Sequence, residues 1–520
     1  MFELIIRNGT VVDGTGAPAF RADVALEAGR IAEVGDLSQA TAGREIDAAG
    51  KVISPGFIDI HTHADVALMA RPKHEPKIMQ GVTTEVFSNC GLGFAPVTDA
   101  GLAIQKEYLL GLFGDDVGVD WNWRTVRQFL DHYRGHIATN AAYLIPHGAV
   151  RVSAMGMADR PATPDELGQM TDLIRQGMEE GAWGLSTGLW YSPMSYADTQ
   201  ENIAVCKAVA DYGGFFATHM RDYGDNILGA LDESYEMSVK SGAPLQVSHL
   251  QIGGARNWGR AGEVLDHIEK ALANGVDVAF DNYPYTAGST LIQAILPTWA
   301  TVGGPSKLLE RLHDAEVREK IVDALNNAER DWSRHVLCGV RCASWKPFEG
   351  ESFSKIAEAE GTNIGDVICR LLVDDELQAC FIAHLGDESD LRQIVKHPAQ
   401  MIGSDGLHLP GKTHPRLFGA FPRLLSRYVR EQGILTLEEA VWKMTGFPAK
   451  RMGFKDRGRV AKGLAADITV FDPATVKDVA TFDDPCRYPE GIPFVFVNGR
   501  AVVDNGTHTG VLAGEVLTPR

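Results

Sequence analysis

The amino-acid sequence predicts an α/β protein whose central body is a closed barrel of eight parallel strands. Short apolar strands alternate with amphipathic helical stretches through the middle of the chain, and eight strand candidates can be counted there. The two ends of the chain share a different pattern, in which short apolar runs alternate with turn signals. The ends are therefore expected to pair into one small β-sandwich beside the barrel.

The predicted β-sandwich combines residues 1–54 with residues 446–520. Its apolar runs lie at 4–6, 11–12, 24–26, 467–471 and 493–497. They are followed by residue pairs that favour tight turns, namely Asn8-Gly9, Ala28-Gly29 and Asn498-Gly499. This pattern predicts a small antiparallel β module rather than helices.

The barrel is expected within residues 55–445. Its strand candidates lie at 56–63, 83–90, 140–147, 184–191, 215–220, 245–250, 276–283 and 401–404. Apolar residues recur at helical spacing in 166–180, 201–212 and 227–241. For two further apolar runs, 336–340 and 379–383, the sequence leaves two alternatives open. Either both belong to an insertion near residues 285–390, or one of them replaces a barrel strand.

Composition narrows the class of protein. The chain has 520 residues, of which 45% are hydrophobic and 22% charged, as in an ordinary soluble globular protein. A net charge of −19 argues against a nucleic-acid or anionic-membrane binder, because phosphate attraction requires clustered Lys and Arg. Seven cysteines without a CxxC pair argue against a disulfide framework. With no signal-peptide or membrane-spanning pattern, we expect a cytoplasmic protein that acts on a small molecule, its oligomeric state left open.

Metal-binding residue types collect where the predicted strands end. His61 and His63 stand two apart on a strand, so both imidazoles point to one side and can converge on one ion. The other candidates at strand ends are Cys90, His219, His249 and Asp405. Taken singly, each is better explained by core packing or a turn. Together, four histidines, a thiol and a carboxylate at the functional end of a barrel predict one or two zinc-like ions.

Such a site suits hydrolysis. A metal ion lowers the pKa of a coordinated water, and a neighbouring carboxylate can accept the proton and pass it to a leaving group. Asp405 is the candidate for this general acid and base. The sequence contains no GxGxxG dinucleotide fingerprint, so nothing indicates redox chemistry.

Several longer motifs resemble the amidohydrolase superfamily: PGFIDIHTHAD, the histidines of ATHMRD and VSHLQ, and the aspartate of IGSDG. Within it, five phrases are similar to the D-aminoacylase branch, the N-acyl-D-amino-acid deacylases. They are QGVTTEVFSNCG, GLSTGLWYSPMSYADTQE, YGGFFATHMRDYGD, DNYPYTAGST and IGSDGLHLPGKTHPRLFG, and they span most of the chain. The resemblance implies a distorted (β/α)8 barrel with a small β-sandwich, and zinc-dependent cleavage of the amide bond of N-acyl-D-amino acids.

The resemblance also implies a role for each candidate. Cys90, His219 and His249 would hold a tightly bound zinc, with Cys90 in the place that a carboxylated lysine holds in many other superfamily members. His61 and His63 would form a second, weaker metal position. The aspartate of IGSDG would be the catalytic acid and base.

In the family, a tyrosine, a serine, an arginine and a lysine clamp the substrate carboxylate. Tyr283, Ser289 and Arg416 match the first three, whereas the lysine position is Gln251. A neutral amide holds an anion less strongly than a charged ammonium does. The substrate is therefore either an N-acyl-D-amino acid or a cyclic amide or other non-peptide C–N compound on the same metal site.

Two further interpretations concern the pocket and the activity. The stretch 290–296 is apolar and has no basic residue, so if it lines the pocket we expect N-acyl-D-amino acids with apolar side chains to be preferred over those of D-aspartate or D-glutamate. If it packs the insertion, it does not bear on the substrate. A barrel without catalytic activity, used for binding, is a remote alternative because every expected site position is filled.

Overall fold

The structure is a computed structural model that describes residues 1–114 and 116–519. The strands are β1 (Phe2–Val11), β2 (Phe20–Glu27), β3 (Arg30–Gly35), β4 (Ala42–Asp47), β5 (Val52–Pro55), β6 (Phe57–Asp59), β7 (Val82–Phe87), β8 (Asn140–Pro146), β9 (Gly184–Gly188), β10 (Phe215–His219), β11 (Leu245–Val247), β12 (Val278–Asn282), β13 (Gly288–Leu291), β14 (His335–Cys338), β15 (Cys380–Ala383), β16 (Gln400–Ile402), β17 (Ile468–Phe471), β18 (Phe494–Val497), β19 (Arg500–Asp504) and β20 (Thr507–His508).

The α-helices are α1 (Asp65–Ala70), α2 (Glu75–Ile78), α3 (Asp99–Phe113), α4 (Val126–Asp131), α5 (His147–Met155), α6 (Pro164–Glu179), α7 (Thr199–Ala210), α8 (Ile227–Ser241), α9 (Ala261–Ala273), α10 (Thr298–Thr301), α11 (Pro305–His313), α12 (Ala315–Asn326), α13 (Phe353–Glu360), α14 (Ile364–Asp374), α15 (Glu388–Lys396), α16 (Arg416–Arg423), α17 (Leu437–Met444) and α18 (Gly446–Met452). A π-helix, Leu424–Glu431, continues α16.

The barrel consists of eight described parallel strands in the order β6-β7-β8-β9-β10-β11-β12-β16. They lie in the eight regions predicted as strands from the sequence. Between β6 and β16, an isolated bridge joins Thr62 to Gly406, and the Asp405 amide donates to the His61 carbonyl at 2.8 Å. The barrel is therefore nearly closed, which confirms the predicted fold class. Two candidate site residues, His61 and Asp405, lie where its first and last strands meet.

Alternation along the strands places polar side chains at one end of the barrel. In β10, Phe215, Ala217 and His219 share one face because side chains alternate along a strand. Phe215 and Ala217 belong to an apolar cluster with Leu144 and Met401 of other barrel strands. His219 is the last residue of the same row, so the apolar barrel interior ends where the candidate site begins.

The helices α6, α7 and α8 confirm the three helices predicted from apolar spacing. The first two begin slightly earlier than the apolar pattern indicates, because capping residues precede it. Thr163 and Glu166 form a capping box at the start of α6, and the Asp198 side chain accepts a bond from the Glu201 amide at 2.8 Å in α7. In the described parts of the chain, no helix has the length and apolar character needed to cross a membrane.

A small antiparallel sheet, in the order β13-β15-β14, stands outside the barrel. The runs predicted at 336–340 and 379–383 correspond to β14 and β15. Neither replaces a barrel strand, since β12 pairs directly with β16. The helices between β13 and β15 share a separate apolar core that includes Ile292, Leu308 and Leu372.

Strands from both ends of the chain are hydrogen-bonded into one nine-stranded sheet, in the order β20-β19-β18-β17-β5-β1-β2-β3, with β4 also paired to β1. They share one apolar core that includes Leu26, Ile53, Val470 and Phe496. The predicted turn between β2 and β3, at Ala28-Gly29, is confirmed: both residues have positive φ, and the flanking pair Glu27 and Arg30 is in register.

The turn predicted at Asn8-Gly9 is wrong. Strand β1 runs through both residues, and its register with β2 shifts between Ile6 and Gly9. Asn8 adopts a φ of 60°, so the pair forms a bulge within the strand instead of a hairpin. The module is also not wholly antiparallel, because β1 pairs in parallel with β4 and β5.

Candidate metal centre and substrate pocket

The six predicted ligand and catalytic residues converge at the carboxyl end of the barrel, and all are buried. His61 and His63 follow β6, Cys90 follows β7, His219 ends β10, His249 follows β11 and Asp405 follows β16. Their ligand atoms form three overlapping groups, each with its three atoms within 4.8 Å of one another: His61, His63 and Cys90; Cys90, His219 and His249; and His61, His249 and Asp405. The structure thus brings every residue of the predicted metal site together.

Both the Cys90 thiol and the Asp405 carboxylate lie near the His61 imidazole. Cys90 Sγ lies 3.3 Å from His61 Nε2 and 3.4 Å from His249 Nε2. Asp405 Oδ1 lies 3.1 Å from His63 Nε2 and 3.5 Å from His61 Nε2. His61 Nε2 therefore lies between two groups of possible metal ligands. One group contains the Cys90 sulfur, and the other contains the Asp405 carboxylate.

Three of these residues have an unusual backbone. Cys90, His249 and Asp405 have φ values of 57°, 35° and 49°. A left-handed conformation costs a non-glycine residue about 1–2 kcal/mol. In each case the chain leaves a barrel strand and turns sharply, and this turn directs the side chain into the cluster.

The chemistry of the cluster fits a zinc-like ion. Burial lowers the pKa of His219 to about 3 and the pKa of His249 well below its usual value, so both imidazoles are neutral and offer lone pairs. In the described structure, the buried Nδ1 atoms of His63, His219 and His249 have no hydrogen-bond partner. Neutral imidazoles beside a cysteine sulfur are the donors that zinc prefers.

Asp281, near the end of β12, forms hydrogen bonds to two residues of the cluster. This residue was not predicted from the sequence. Its Oδ1 accepts a hydrogen bond from His61 Nδ1 at 3.1 Å and from the His249 amide at 2.8 Å. Its Oδ2 accepts from Gln246 Nε2 at 3.0 Å. A carboxylate on the second nitrogen of a ligating histidine fixes its tautomer and orientation. Its position at a strand end, in the motif DNYPYT, is the signal that could have found it.

Asp405 is paired with Arg416. Arg416 Nη1 lies 2.9 Å from Asp405 Oδ2, and the arginine side chain is fully buried. Burial alone would raise the pKa of Asp405, but Arg416 and His61 hold that pKa well below its usual range. The carboxylate is therefore ionised, with Oδ2 toward the arginine and Oδ1 toward the imidazoles.

The four residues predicted to bind the substrate carboxylate lie side by side. The Tyr283 hydroxyl donates to Gln251 Oε1 at 3.1 Å, and the Arg416 guanidinium lies 4.5 Å from the centre of the Tyr283 ring. Arg416 Nη2 donates to the Ser289 carbonyl at 3.2 Å. The Ser289 hydroxyl lies 3.8 Å from Cys338 Sγ. Ser289 thus contacts the arginine through its backbone.

The cluster opens into a cavity of about 520 Å³. Its wall near the ligands includes Leu92, Leu112, Trp190 and Tyr191. Such an apolar wall excludes water from a reacting amide and accommodates aliphatic groups.

The apolar stretch 290–296 packs the insertion and the barrel, with Thr290 alone among its described residues at the cavity wall. Leu291 belongs to the barrel core, and Ile292, Ile295 and Leu296 belong to the core of the insertion. This stretch therefore does not bear on the substrate side chain.

A parallel barrel with imidazoles, a thiol and an ionised carboxylate at the carboxyl ends of its strands defines a metal-dependent hydrolase. Residues 44–503 match the family described as the amidohydrolase family. The chain is also 38% identical to D-aminoacylase of Alcaligenes xylosoxydans xylosoxydans, over 99% of its own length and 97% of the relative's. It belongs to the amidohydrolase family, in the D-aminoacylase branch, and is a hydrolase of carbon–nitrogen bonds other than peptide bonds.

Two of the solved structures that match the whole chain belong to this branch. One is D-aminoacylase, studied for the functional role of its binuclear metal centre, with 38% identity, a TM-score of 0.85 and full coverage of both chains. The other is N-acyl-D-glutamate deacylase from Bordetella bronchiseptica, complexed with zinc and a phosphonate that mimics the tetrahedral intermediate, with 32% identity, a TM-score of 0.83 and full coverage of both chains. These matches confirm the family predicted from the motifs and support a metal cofactor.

Proposed function

We propose that this protein is a zinc-dependent deacylase that hydrolyses N-acyl-D-amino acids to a D-amino acid and a carboxylic acid. The observation that carries the proposal is the contiguous arrangement of the Cys90 and histidine cluster, the Asp405–Arg416 pair and the Tyr283–Gln251 pair around one cavity. The D configuration of the substrate is supported by the names of the relatives.

Two metal positions are proposed within the cluster. Cys90, His219 and His249 would hold the more tightly bound zinc, because they combine a thiolate with two neutral imidazoles. His61 and His63 would contribute to a second, weaker position. When bound, zinc supplies a Lewis acid that polarises the acyl carbonyl and activates water.

Asp405 moves the proton. Its Oδ1 faces the imidazoles, whereas its Oδ2 is held by Arg416. Because Asp405 is ionised, it enters the reaction as a proton acceptor at Oδ1, and it then returns the proton to the departing amide nitrogen. Arg416 keeps the carboxylate in place throughout these two transfers.

Arg416, Tyr283 and Gln251 orient the substrate. In the described structure, Arg416 Nε has no hydrogen-bond partner, so the guanidinium can bind the α-carboxylate of the substrate while Nη1 stays beside Asp405. The Tyr283 hydroxyl and the Gln251 amide, which are bonded to each other, can both turn to the same anion. Gln251 supplies a neutral donor where the family has a charge, so binding of the α-carboxylate depends chiefly on Arg416.

The compartment is part of the proposal. All seven cysteines are unpaired, and most of them are buried. Unpaired buried thiols are common in a reducing environment, which supports a cytoplasmic location.

A substrate screen of the zinc-loaded protein tests the proposal. The panel contains N-acetyl derivatives of D- and L-amino acids beside hydantoins and dihydropyrimidines. We expect turnover of the D derivatives, with zinc content retained and turnover abolished in Asp405→Asn. Hydrolysis confined to the cyclic amides would contradict the proposed substrate class, and normal rates in Asp405→Asn would contradict the proposed proton transfer.

A further inference from the structure

Arg330 is the arginine without a carboxylate partner among the described residues at the cavity. The other arginines in or beside the cavity are paired: Arg221 with Glu233 at 2.8 Å, Arg256 with Asp225 and with Glu329 at 2.8 Å, Arg334 with Asp331 at 3.2 Å, and Arg416 with Asp405 at 2.9 Å. Both acidic chain neighbours of Arg330 are thus engaged elsewhere. Its positive charge faces the cavity without compensation.

Neutral groups hold the Arg330 side chain in place. Its Nη1 donates to His335 Nε2 at 3.4 Å, and its guanidinium lies 5.5 Å from the centre of the Trp332 ring. His335 Nδ1 donates to the Asp331 carbonyl at 2.8 Å, and burial lowers the pKa of His335 to about 4. The imidazole is therefore neutral, and it orients the guanidinium without cancelling its charge. Burial also lowers the pKa of Arg330, as expected for a cation that lacks an anion.

The three-stranded sheet connects this arginine to the substrate clamp. Gly288, Ala383 and His335 stand directly opposite one another on β13, β15 and β14, so their side chains share one face. A Cβ atom at Gly288 would lie 3.1 Å from the Tyr283 hydroxyl oxygen, so this face looks toward the clamp. The residues at the first two positions are small, so little side-chain bulk separates Tyr283 from His335 on this face.

We propose that Arg330 binds a carboxylate at the far end of the substrate side chain, so that the preferred substrates are N-acyl-D-amino acids with an aliphatic stem and a terminal anion. This inference rests on the proposed deacylase function and names its substrate class. The α-carboxylate would bind at Arg416 and Tyr283, and the side chain would extend across Ala383 and Phe381, which line the cavity. The aliphatic stem suits that apolar surface, and the anion suits the unpaired guanidinium.

The distance across the sheet sets the side-chain length. Gly288 and His335 are separated by two strand spacings, which is about 10 Å. Each added methylene lengthens an extended chain by roughly 1.3 Å, given carbon–carbon bonds of about 1.5 Å. The short side chain of aspartate does not span this distance, and each added methylene brings the terminal carboxylate closer to the far strand. We therefore expect preference to increase from aspartate through glutamate to 2-aminoadipate.

The test compares matched substrates on the zinc-loaded full-length protein. N-acetyl-D-2-aminoadipate and N-acetyl-D-norleucine have the same number of side-chain carbon atoms, and the first ends in a carboxylate where the second ends in a methyl group. N-acetyl derivatives of D-aspartate and D-glutamate complete the length series. We expect kcat/KM for the 2-aminoadipate derivative to exceed that for the norleucine derivative by about 10-fold or more.

Three variants separate the role of Arg330 from general effects of charge or folding. Arg330→Met retains the aliphatic length and should lower kcat/KM for the 2-aminoadipate derivative by about 10- to 100-fold, with the norleucine derivative unaffected. Arg330→Lys should restore part of the loss. Arg160→Met removes an arginine that is paired with Glu166 outside the cavity and should leave the ratio of the two substrates unchanged. Thermal unfolding of each variant checks that it folds.

Two results would overturn the inference: an equal loss for both substrates in Arg330→Met, or a wild-type preference for norleucine over 2-aminoadipate. If no N-acyl-D-amino acid is hydrolysed, the proposed function itself fails. Calorimetric binding of free D-2-aminoadipate and D-norleucine then still decides the role of Arg330. Tighter binding of the acid that disappears in Arg330→Met supports the anion site, and equal binding refutes it.

Discussion

Asp281 accepts a hydrogen bond from His61 Nδ1 at 3.1 Å, although 220 residues separate the two positions in the chain. The bond leaves His61 Nε2 facing the sulfur of Cys90 at 3.3 Å. The same carboxylate accepts the His249 amide at 2.8 Å, so a single buried group positions two candidate ligands. A carboxylate outside the predicted ligand set therefore contacts two of the candidate ligands.

Asp281→Asn should weaken zinc binding by about 10- to 100-fold, because an amide cannot orient the imidazole of His61 as a carboxylate does. Zinc affinity, measured by competition with a chelator, checks this. Asp277→Asn, on the surface just before the same strand, is the matched control and should bind zinc normally. Unchanged zinc affinity in Asp281→Asn would show that Asp281 serves packing alone.

Cys90→Ser should remove most of the bound zinc, because an alcohol is a much poorer zinc ligand than a thiolate. His63→Ala should retain the first equivalent of zinc, since His63 belongs to the proposed weaker position. Metal analysis after gel filtration measures both. Cys486→Ser, at an exposed cysteine, serves as the control. Loss of the first equivalent in His63→Ala and its retention in Cys90→Ser would reverse the proposed order of the sites.

Gln251→Lys should lower KM for N-acyl-D-amino acids by about 10-fold, because an ammonium adds a full charge beside Tyr283 and Arg416. The kcat value should change less, since the carboxylate is bound in both the ground state and the transition state. Gln251→Met removes the polar group at similar size and should raise KM. An unchanged KM in both variants would mean that the α-carboxylate does not contact this position.

Lys443 predicts a pH dependence of stability. It is buried in α17, and its Nζ donates to the carbonyls of His397 at 2.6 Å and Gln400 at 3.2 Å. Burial lowers the pKa of Lys443 to about 7 in the folded protein, whereas an unfolded lysine titrates near pH 10.4. Between these values the unfolded chain binds the extra proton, so stability from this group rises as the pH increases from 7 to 10.

The wild-type melting temperature should therefore gain a few degrees, relative to Lys443→Met, when the pH is raised from 7 to 9. Differential scanning calorimetry at several pH values measures the difference. Lys450→Met, at an exposed position of α18, should follow the wild type. A constant difference between wild type and Lys443→Met over this range would mean that the buried amine remains charged.

Local sequence was sufficient to predict the barrel strands and to predict that the six candidate site residues lie together. Alternating apolar residues are a local signal, and a parallel barrel necessarily brings the carboxyl ends of its strands to one edge. His61, His219 and Asp405 could therefore be placed together without knowledge of any contact between them. The motifs also identified the family, because they recur in order along most of the chain.

Tertiary structure alone decided how these residues are paired. Asn8-Gly9 reads as a turn, yet pairing with distant strands keeps it within β1 as a bulge. The apolar character of the stretch 290–296 suits either a pocket wall or a core. Only the structure shows that it packs into the apolar cores of the barrel and the insertion. Arg330 belongs to no motif, and only the structure shows that its acidic neighbours Glu329 and Asp331 pair with other arginines. Such pairings are made between residues distant in sequence, so no local pattern encodes them.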